Sequence, residues 1–377
     1  PLNQATDASS EFADRIRALP TPAAEAKFVD FENDMKIYDI APGYKFYYVE
    51  NKANDIFTLK IRFGAGDHKL PMLEYASMMM NYAGTRSKSV NQFKSAMGLL
   101  GCDYSIYSDE NYLYFSLDGP DQNMRSAMAL MMELWSDPVL EQEKMNVLLN
   151  GEKANRKMEK KEPDMIASAL LQYTLFGEES DYLDRLTMKE LKHLQADTLV
   201  AVFRKALAYE AEFHYTGRDD PQEMAYELGN MLPFEVEPKP ASDLVYRVPK
   251  TYDNNRVFYT HKRKAKQSKI FFYTQGVDFK PRVLPAMTAF NTYFGGGFSG
   301  LVLQEIREYR SMAYSAGASF SSPPLIGKPM AFTGFIGTQA DKTNEAINIF
   351  MGLVRDMPAK KERTRIIGEY VRNSTFT

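Results

Sequence analysis

Apolar and polar residues alternate with period two at 44–50 ("YKFYYVE") and again at 55–63 ("DIFTLKIRF"), which predicts two half-buried strands. The same pair of signals returns at 255–260 ("NRVFYT") and 269–276 ("KIFFYTQG"). An apolar helical run follows each pair, at 73–85 ("LEYASMMMNYAGT") and 284–299 ("LPAMTAFNTYFGGGFS"). After a further helix, strand-like alternation appears at 111–119 and 330–338. An amphipathic helix comes next in each series. In the first, Met124, Met128, Met131 and Trp135 fall at i, i+4, i+7 and i+11; in the second, Ile347, Phe350 and Val354 fall at i, i+3 and i+7. Pro138 and Pro358 close these helices before a charged helical pattern opens.

Matching signals lie 211 to 219 residues apart throughout. That regularity predicts an α+β protein of two tandem homologous domains, each an antiparallel-rich sheet covered by helices. Residues 1–34 read as a polar lead-in, 35–235 as the first domain and 244–377 as the second, with the proline-rich, acidic stretch "LPFEVEPKPASD" (232–243) between them. The first copy has an extra helical stretch, 164–207, that the second lacks, so the second copy reads as truncated. Both ends read as trimmed: the chain begins at Pro1, and the helical pattern "KKERTRIIGEYVRNSTFT" stops without a glycine or proline terminator. The methionine stripe reads as core, since methionine fills irregular apolar gaps.

Composition narrows the function classes. The 377 residues carry a net charge of −3, which argues against a nucleic-acid binder, and the short basic run 261–269 reads as a solvated edge or turn. Cys102 stands alone, so neither an intrachain disulfide nor a cysteine zinc site can form. No apolar run reaches the roughly 20 residues that span a bilayer. His68, His193, His214 and His261 are too far apart for a helical zinc motif, and each reads as a surface or internally satisfied side chain. A serine nucleophile elbow is missing, "GFSG" being one residue short. Gly295, Gly296 and Gly297 do not make a phosphate loop: Gly300 is followed by Leu301 and Val302 instead of Lys-Ser/Thr, and a helical run precedes the glycines where a dinucleotide fold needs a strand.

The stretch "FGGGFSGLVLQEIREYRSMAYSAGASFSS" (294–322) resembles the signature of the non-zinc domain of pitrilysin-type metallopeptidases. This family of inverted-motif zinc enzymes includes insulysin, the presequence peptidases and the mitochondrial processing peptidase. In it a helix ends at a glycine-rich turn, a second helix carries "EIRE", and an R-x-x-x-Y pair, here Arg310 and Tyr314, leads into a strand. The tandem plan from residue 35 onward is similar as well. The zinc motif is not matched. One register of the first helix places Pro71, Glu74 and Tyr75 at the family's His, Glu and His; the other places Tyr75, Met78 and Met79 there. Glu152 is the nearest counterpart of the third ligand and reads as a surface glutamate on a charged helix. No metal is expected on this chain.

The resemblance implies a zinc-free half, inactive alone, of a peptidase whose two halves enclose a chamber. Zinc and the general-base glutamate would lie on an N-terminal half or partner subunit, and the substrate would be a peptide. Arg310 and Tyr314 would donate to the oxyanion, a role worth roughly 10²–10³ in rate per donor. Gly295, Gly296, Gly297, Phe298 and Ser299 would form the turn that meets substrate, or would simply bend the chain. The competing reading is a catalytically inactive structural subunit, like the core proteins of the respiratory complex, with Arg310 paired to Glu305 or Glu308 and Tyr314 capping the sheet. Bacterial relatives with this layout are often exported, which would put the chain in the periplasm or outside the cell; the sequence itself carries no address.

Overall fold

The computed structural model describes residues 10–20, 30–231, 237–263, 265–298 and 300–359. The predicted terminal helix at 360–377, residues 232–236 of the expected interdomain stretch and Ser299 lie outside them. Residues 30–358 form one compact unit, apart from residues 10–20. In the latter, helix α1 (Glu11–Arg17) starts at Ser10, whose hydroxyl accepts from the Ala13 amide at 3.2 Å.

Within 36–217 run β1 (Lys36–Ala41), β2 (Tyr44–Glu50), β3 (Ile56–Phe63), β4 (Gly84–Thr85), β5 (Asp103–Ser108), β6 (Leu113–Pro120), β7 (Pro138–Val139) and β8 (Ala211–Gly217). Six of them make one sheet in the order β1-β2-β8-β3-β6-β5, while β4 and β7 pair as a two-residue ladder. The sheet is mixed, because β2 and β8 run parallel. Its period-two sequences put Phe57, Leu59, Ile61 and Phe63 of β3 and Leu113, Phe115 and Leu117 of β6 on one buried face. Around them fold α2 (Leu73–Met80), α3 (Val90–Leu99), α4 (Met124–Ser136), α5 (Met145–Glu159), α6 (Pro163–Phe176), α7 (Met188–His193), α8 (Ala196–Leu207) and α9 (Pro221–Met231). The stripe of Met124, Met128, Met131 and Trp135 is buried in that core, and the Trp135 ring meets Phe115 edge-on at 4.4 Å.

A second sheet follows: β9 (Gln267–Asp278), α10 (Leu284–Phe294), α11 (Leu301–Leu303), β10 (Ala313–Ser321), β11 (Pro329–Gln339) and α12 (Thr343–Arg355). The strand order is β10-β11-β9, antiparallel throughout. Its separate core centres on Phe350, whose ring stacks on Phe272 at 4.0 Å. Gly334 of β11 leaves room for that ring, which a Cβ there would strike.

Two expectations need correction. Residues 255–260 alternate like a strand but are irregular, with Val257 and Tyr259 exposed. In the large sheet β2 reaches β3 only through β8. No described strand takes that place beside β9, so 255–260 has no hydrogen-bonding neighbour to make it a strand. On α12 the buried line is Ala346, Phe350 and Leu353, not Ile347, Phe350 and Val354. The small alanine lies under the sheet, and Val354 faces out.

The proline-rich connection is held down rather than free. The Asn111 side chain brackets Val245, accepting from its amide at 2.6 Å and donating to its carbonyl at 3.0 Å. Arg247 pairs with Glu110 and with Asp181 (2.7 Å) and donates to the Glu179 carbonyl at 2.7 Å. Arg247→Ala leaves those acceptors crowded and unpaired. We expect it to cost about 1–3 kcal/mol, read as a lower urea midpoint, with Arg247→Lys recovering only part because an ammonium cannot bridge all three acceptors.

Candidate functional site

The glycine turn is built by close approach of backbone. Helix α10 ends as the Gly295 amide donates to the Asn291 carbonyl at 3.0 Å. Asn291 then stitches the helix to β10, donating to the Phe320 carbonyl at 2.8 Å and accepting from its amide at 2.7 Å. Gly295 lies so close to β10 that a Cβ would overlap the Ala318 backbone, and one on Gly300 would meet Gly295 and Gly296 at 2.8 Å. Gly297 has φ +57° and open space around it. Gln304 donates to the Phe298 carbonyl at 2.6 Å and ties the turn to the next helix.

That helix widens at once. After α11 the chain makes a π turn, Gln304–Glu308, in which the Tyr309 amide donates to the Gln304 carbonyl at 2.9 Å. Buried Ile306 and Met312 anchor the segment, and Ser311 adopts φ 50° before β10 begins. The Arg307 guanidinium lies 5.6 Å from the centre of the Tyr314 ring and 5.8 Å from that of Phe298. Phe298 and Tyr314 are 75% and 79% exposed. Arg310 folds back instead, donating to the Glu305 carboxylate at 2.5 Å and to its carbonyl at 2.6 Å. The arginine on the tyrosine ring is therefore Arg307, which the R-x-x-x-Y reading passed over. The motif alone could not choose between two arginines three residues apart, because the π turn breaks ordinary helical spacing.

The positions matched to the zinc motif lie on and just before α2. Tyr75 and Met79 are buried in the core, Met78 is exposed, and Met72 begins the helix with φ 73°. A phenol and thioethers in place of imidazoles do not fit zinc, and among the described residues no group of three or more His, Cys, Asp or Glu is placed to hold a metal ion. Glu74 and Glu152 do come together, on the wall of a 980 Å³ cavity. Glu152 is half-buried there and accepts from Arg156 at 3.0 Å, which corrects its reading as a plain surface residue.

Charge in this cavity is poorly compensated. Burial pushes the Asp67 carboxyl up to about 6, against a hydrogen bond from Ser108 at 2.6 Å. Burial, then Glu152 and Asp181, raise Glu74. An acid with a raised folded-state pKa holds its proton longer in the folded chain, so its stabilisation is lost as pH climbs from about 4 through 6. Asp67→Asn removes that loss. Relative to the parent, the variant gains little at pH 4.5 and about 1–3 kcal/mol at pH 7.5; urea titrations at the two pH values read the difference.

Part of the chain resembles known proteins. Residues 219–361, which contain the glycine turn, Arg307, Arg310 and Tyr314, match the family described as peptidase M16 inactive domain. A peptidase M16 inactive domain from Pseudomonas fluorescens is 20% identical and superposes with a TM-score of 0.71 over 91% of this chain and 85% of its own. The periplasmic protease PqqL from Escherichia coli is 12% identical, with a TM-score of 0.75 over 93% of this chain and 39% of PqqL. A protease from Helicobacter pylori is 12% identical, with a TM-score of 0.68 over 90% and 85%. At such identities the likeness is one of fold. A search of curated proteins finds no significant match. Residues 219–361 are thus similar to the peptidase M16 inactive domain, and the chain as a whole shares the fold of these M16 proteins.

Proposed function

We propose that this chain is the zinc-free half of a pitrilysin-like metallopeptidase, binding extended peptide and supplying oxyanion contacts to a zinc site on another half or subunit. The observation that carries it is Tyr314: its ring is 79% exposed with a guanidinium beside it, and its hydroxyl has no hydrogen bond among the described residues. Tyr48 and Tyr215, by contrast, are buried in the core with their hydroxyls bonded. A phenol left free at the head of a strand suits a carbonyl oxygen on which charge builds. Arg307 sits beside it, and Arg310 can join only by leaving Glu305. Peptide would add as a strand to a sheet edge, a mode indifferent to most side chains, and β9 and β10 are the edges of the small sheet.

On this proposal the two sheets are tandem copies, the second incomplete. The order β9-β11-β10 repeats β3-β6-β5, and α10 and α12 repeat α2 and α4, with starts 211 residues apart for α2 and α10 (73 and 284) and 219 for α4 and α12 (124 and 343). What the second lacks among the described residues are strands in the places of β1, β2 and β8.

The competing reading, an inactive structural subunit, draws support from Arg310, whose pairing with Glu305 is what a purely structural arginine would make. Turnover by the assembled protein decides. Tyr314→Phe should cut it at least about tenfold with folding and zinc content unchanged. Parental rates in that variant overturn the catalytic role.

A further inference from the structure

We infer that Phe298 is a positioning residue. Its ring, together with that of Tyr314, holds the Arg307 guanidinium by contact with aromatic faces, which leaves the donor edge of Arg307 open to substrate. This role rests on the oxyanion reading given above and adds the glycine turn to it. Arg307 lies over both rings, 5.8 Å from the centre of Phe298 and 5.6 Å from that of Tyr314. Phe298 comes from the glycine turn and Tyr314 from the start of β10, so the guanidinium links the two segments.

Other arginines of this chain are held differently. Arg62, Arg185 and Arg247 also lie over aromatic rings, at 4.8, 5.6 and 5.2 Å. Each spends its edge on carboxylates: Arg62 on Glu212 at 2.6 Å, Arg185 on Glu159 at 2.8 and 2.5 Å, and Arg247 on Glu110 and Asp181. Arg307 has one ion pair among the described residues, from Nε to its neighbour Glu308 at 3.4 Å. Its Nη1 and Nη2 groups have no acceptor there. A guanidinium fixed through its π face keeps its in-plane N–H donors for a ligand, whereas one fixed by carboxylates has used them. An oxyanion donor needs the first arrangement.

Backbone geometry brings Phe298 to this place. Gly297 turns the chain with φ +57°, and the side-chain amide of Gln304 donates to the Phe298 carbonyl at 2.6 Å. The Gln304 carbonyl accepts from the Tyr309 amide and closes the π turn that carries Arg307. One residue therefore fixes the ring and the guanidinium together. Phe298 takes no part in the apolar core of the small sheet, so replacing it leaves that core alone.

Two measurements separate this role from the reading it rests on. The first is made by NMR in this chain alone, where the Arg307 Nε–H resonance is assigned by its loss in Arg307→Lys. Phe298→Leu keeps apolar bulk without a π face and should move that resonance downfield, out of the ring current. Phe298→Trp should keep it upfield, with parental melting in both variants. A resonance indifferent to Phe298→Leu overturns the assignment, whatever Tyr314 does in catalysis. The second is turnover by the assembled peptidase. Phe298→Leu should lower kcat about two- to fivefold with KM unchanged, and Phe298→Trp should recover it. In an Arg307→Ala background the same change should cost nothing more, because nothing is left to position. A loss that persists without Arg307, or that falls on KM, would make Phe298 a substrate contact instead. Failure of the oxyanion reading looks different: Arg307→Ala itself would keep parental turnover, and the positioning role would fall with it although the resonance shift stands.

Discussion

Gly295→Ala is expected to dismantle the small sheet, while Gly297→Ala two residues on is expected to cost little. The contrast follows from what each glycine meets. An added Cβ at Gly295 lands on the Ala318 carbonyl and amide, which are backbone atoms of β10 held by their ladder to β11. Neither side can yield. The helix is fixed to the same strand by both arms of Asn291, and Phe294, the residue before the turn, is buried against Phe332 and Phe350. Relief would require α10 to lift off the sheet, giving up the aromatic core. A cost of roughly 3 kcal/mol or more is expected. At Gly297 nothing lies within 4 Å, and only the left-handed φ of +57° resists a side chain, worth about 1 kcal/mol. Hydrogen exchange separates the outcomes: in Gly295→Ala, amides of 267–339 lose protection while β3 and β6 keep theirs. A Gly295→Ala chain that melts like its parent would mean that the glycine run is not set by packing.

This answers which part of the glycine run is architectural. Gly295 and Gly300 are demanded by backbone crowding, whereas Gly297 and exposed Phe298 form the part left free to meet another molecule. The sequence alone showed three equal letters. What separates them is β10, more than twenty residues downstream, and nothing local encodes that approach.

Elsewhere the local pattern was enough. Strands at 44–50, 55–63 and 330–338 were legible because each alternates and is half-buried, and the α4 methionine stripe because one face of a helix recurs every 3.6 residues. β1 and β5 escaped notice: they are the edges of the large sheet, and with few buried positions their alternation is weak. The parallel pairing of β2 with β8 joins residues about 167 apart and leaves no local signature. At the candidate site, residue types were legible and pairings were not. Arg310 and Tyr314 stood out by motif, but the π turn hands the ring to Arg307 and leaves Arg310 with Glu305. The acid-lined cavity was invisible for the same reason as the β2–β8 pair: its carboxylates come from segments spread between residues 67 and 184.

The two arginines yield the sharpest test of the oxyanion proposal, in the assembled enzyme. Arg307 on the Tyr314 ring supplies both charge and orientation, a contact worth about 0.5–2 kcal/mol by itself. Its loss also lets the exposed phenol wander. Arg307→Ala is therefore expected to lower kcat by about 10²-fold, close to the effect of Tyr314→Phe, with KM little changed. Arg307→Lys should recover only a fraction, because an ammonium keeps the charge but not the planar face. The double variant Arg307→Ala/Tyr314→Phe should be scarcely worse than either alone, as expected of groups that act as one unit. Arg310→Ala should cost less than about fivefold, since the side chain spends its donors on Glu305. The reverse ranking, with Arg310→Ala the more damaging, would mean that Arg310 leaves Glu305 when the halves close on substrate. Glu305→Gln would then raise activity by loosening its hold, whereas with Arg307 as the working guanidinium the same change leaves kcat where it was.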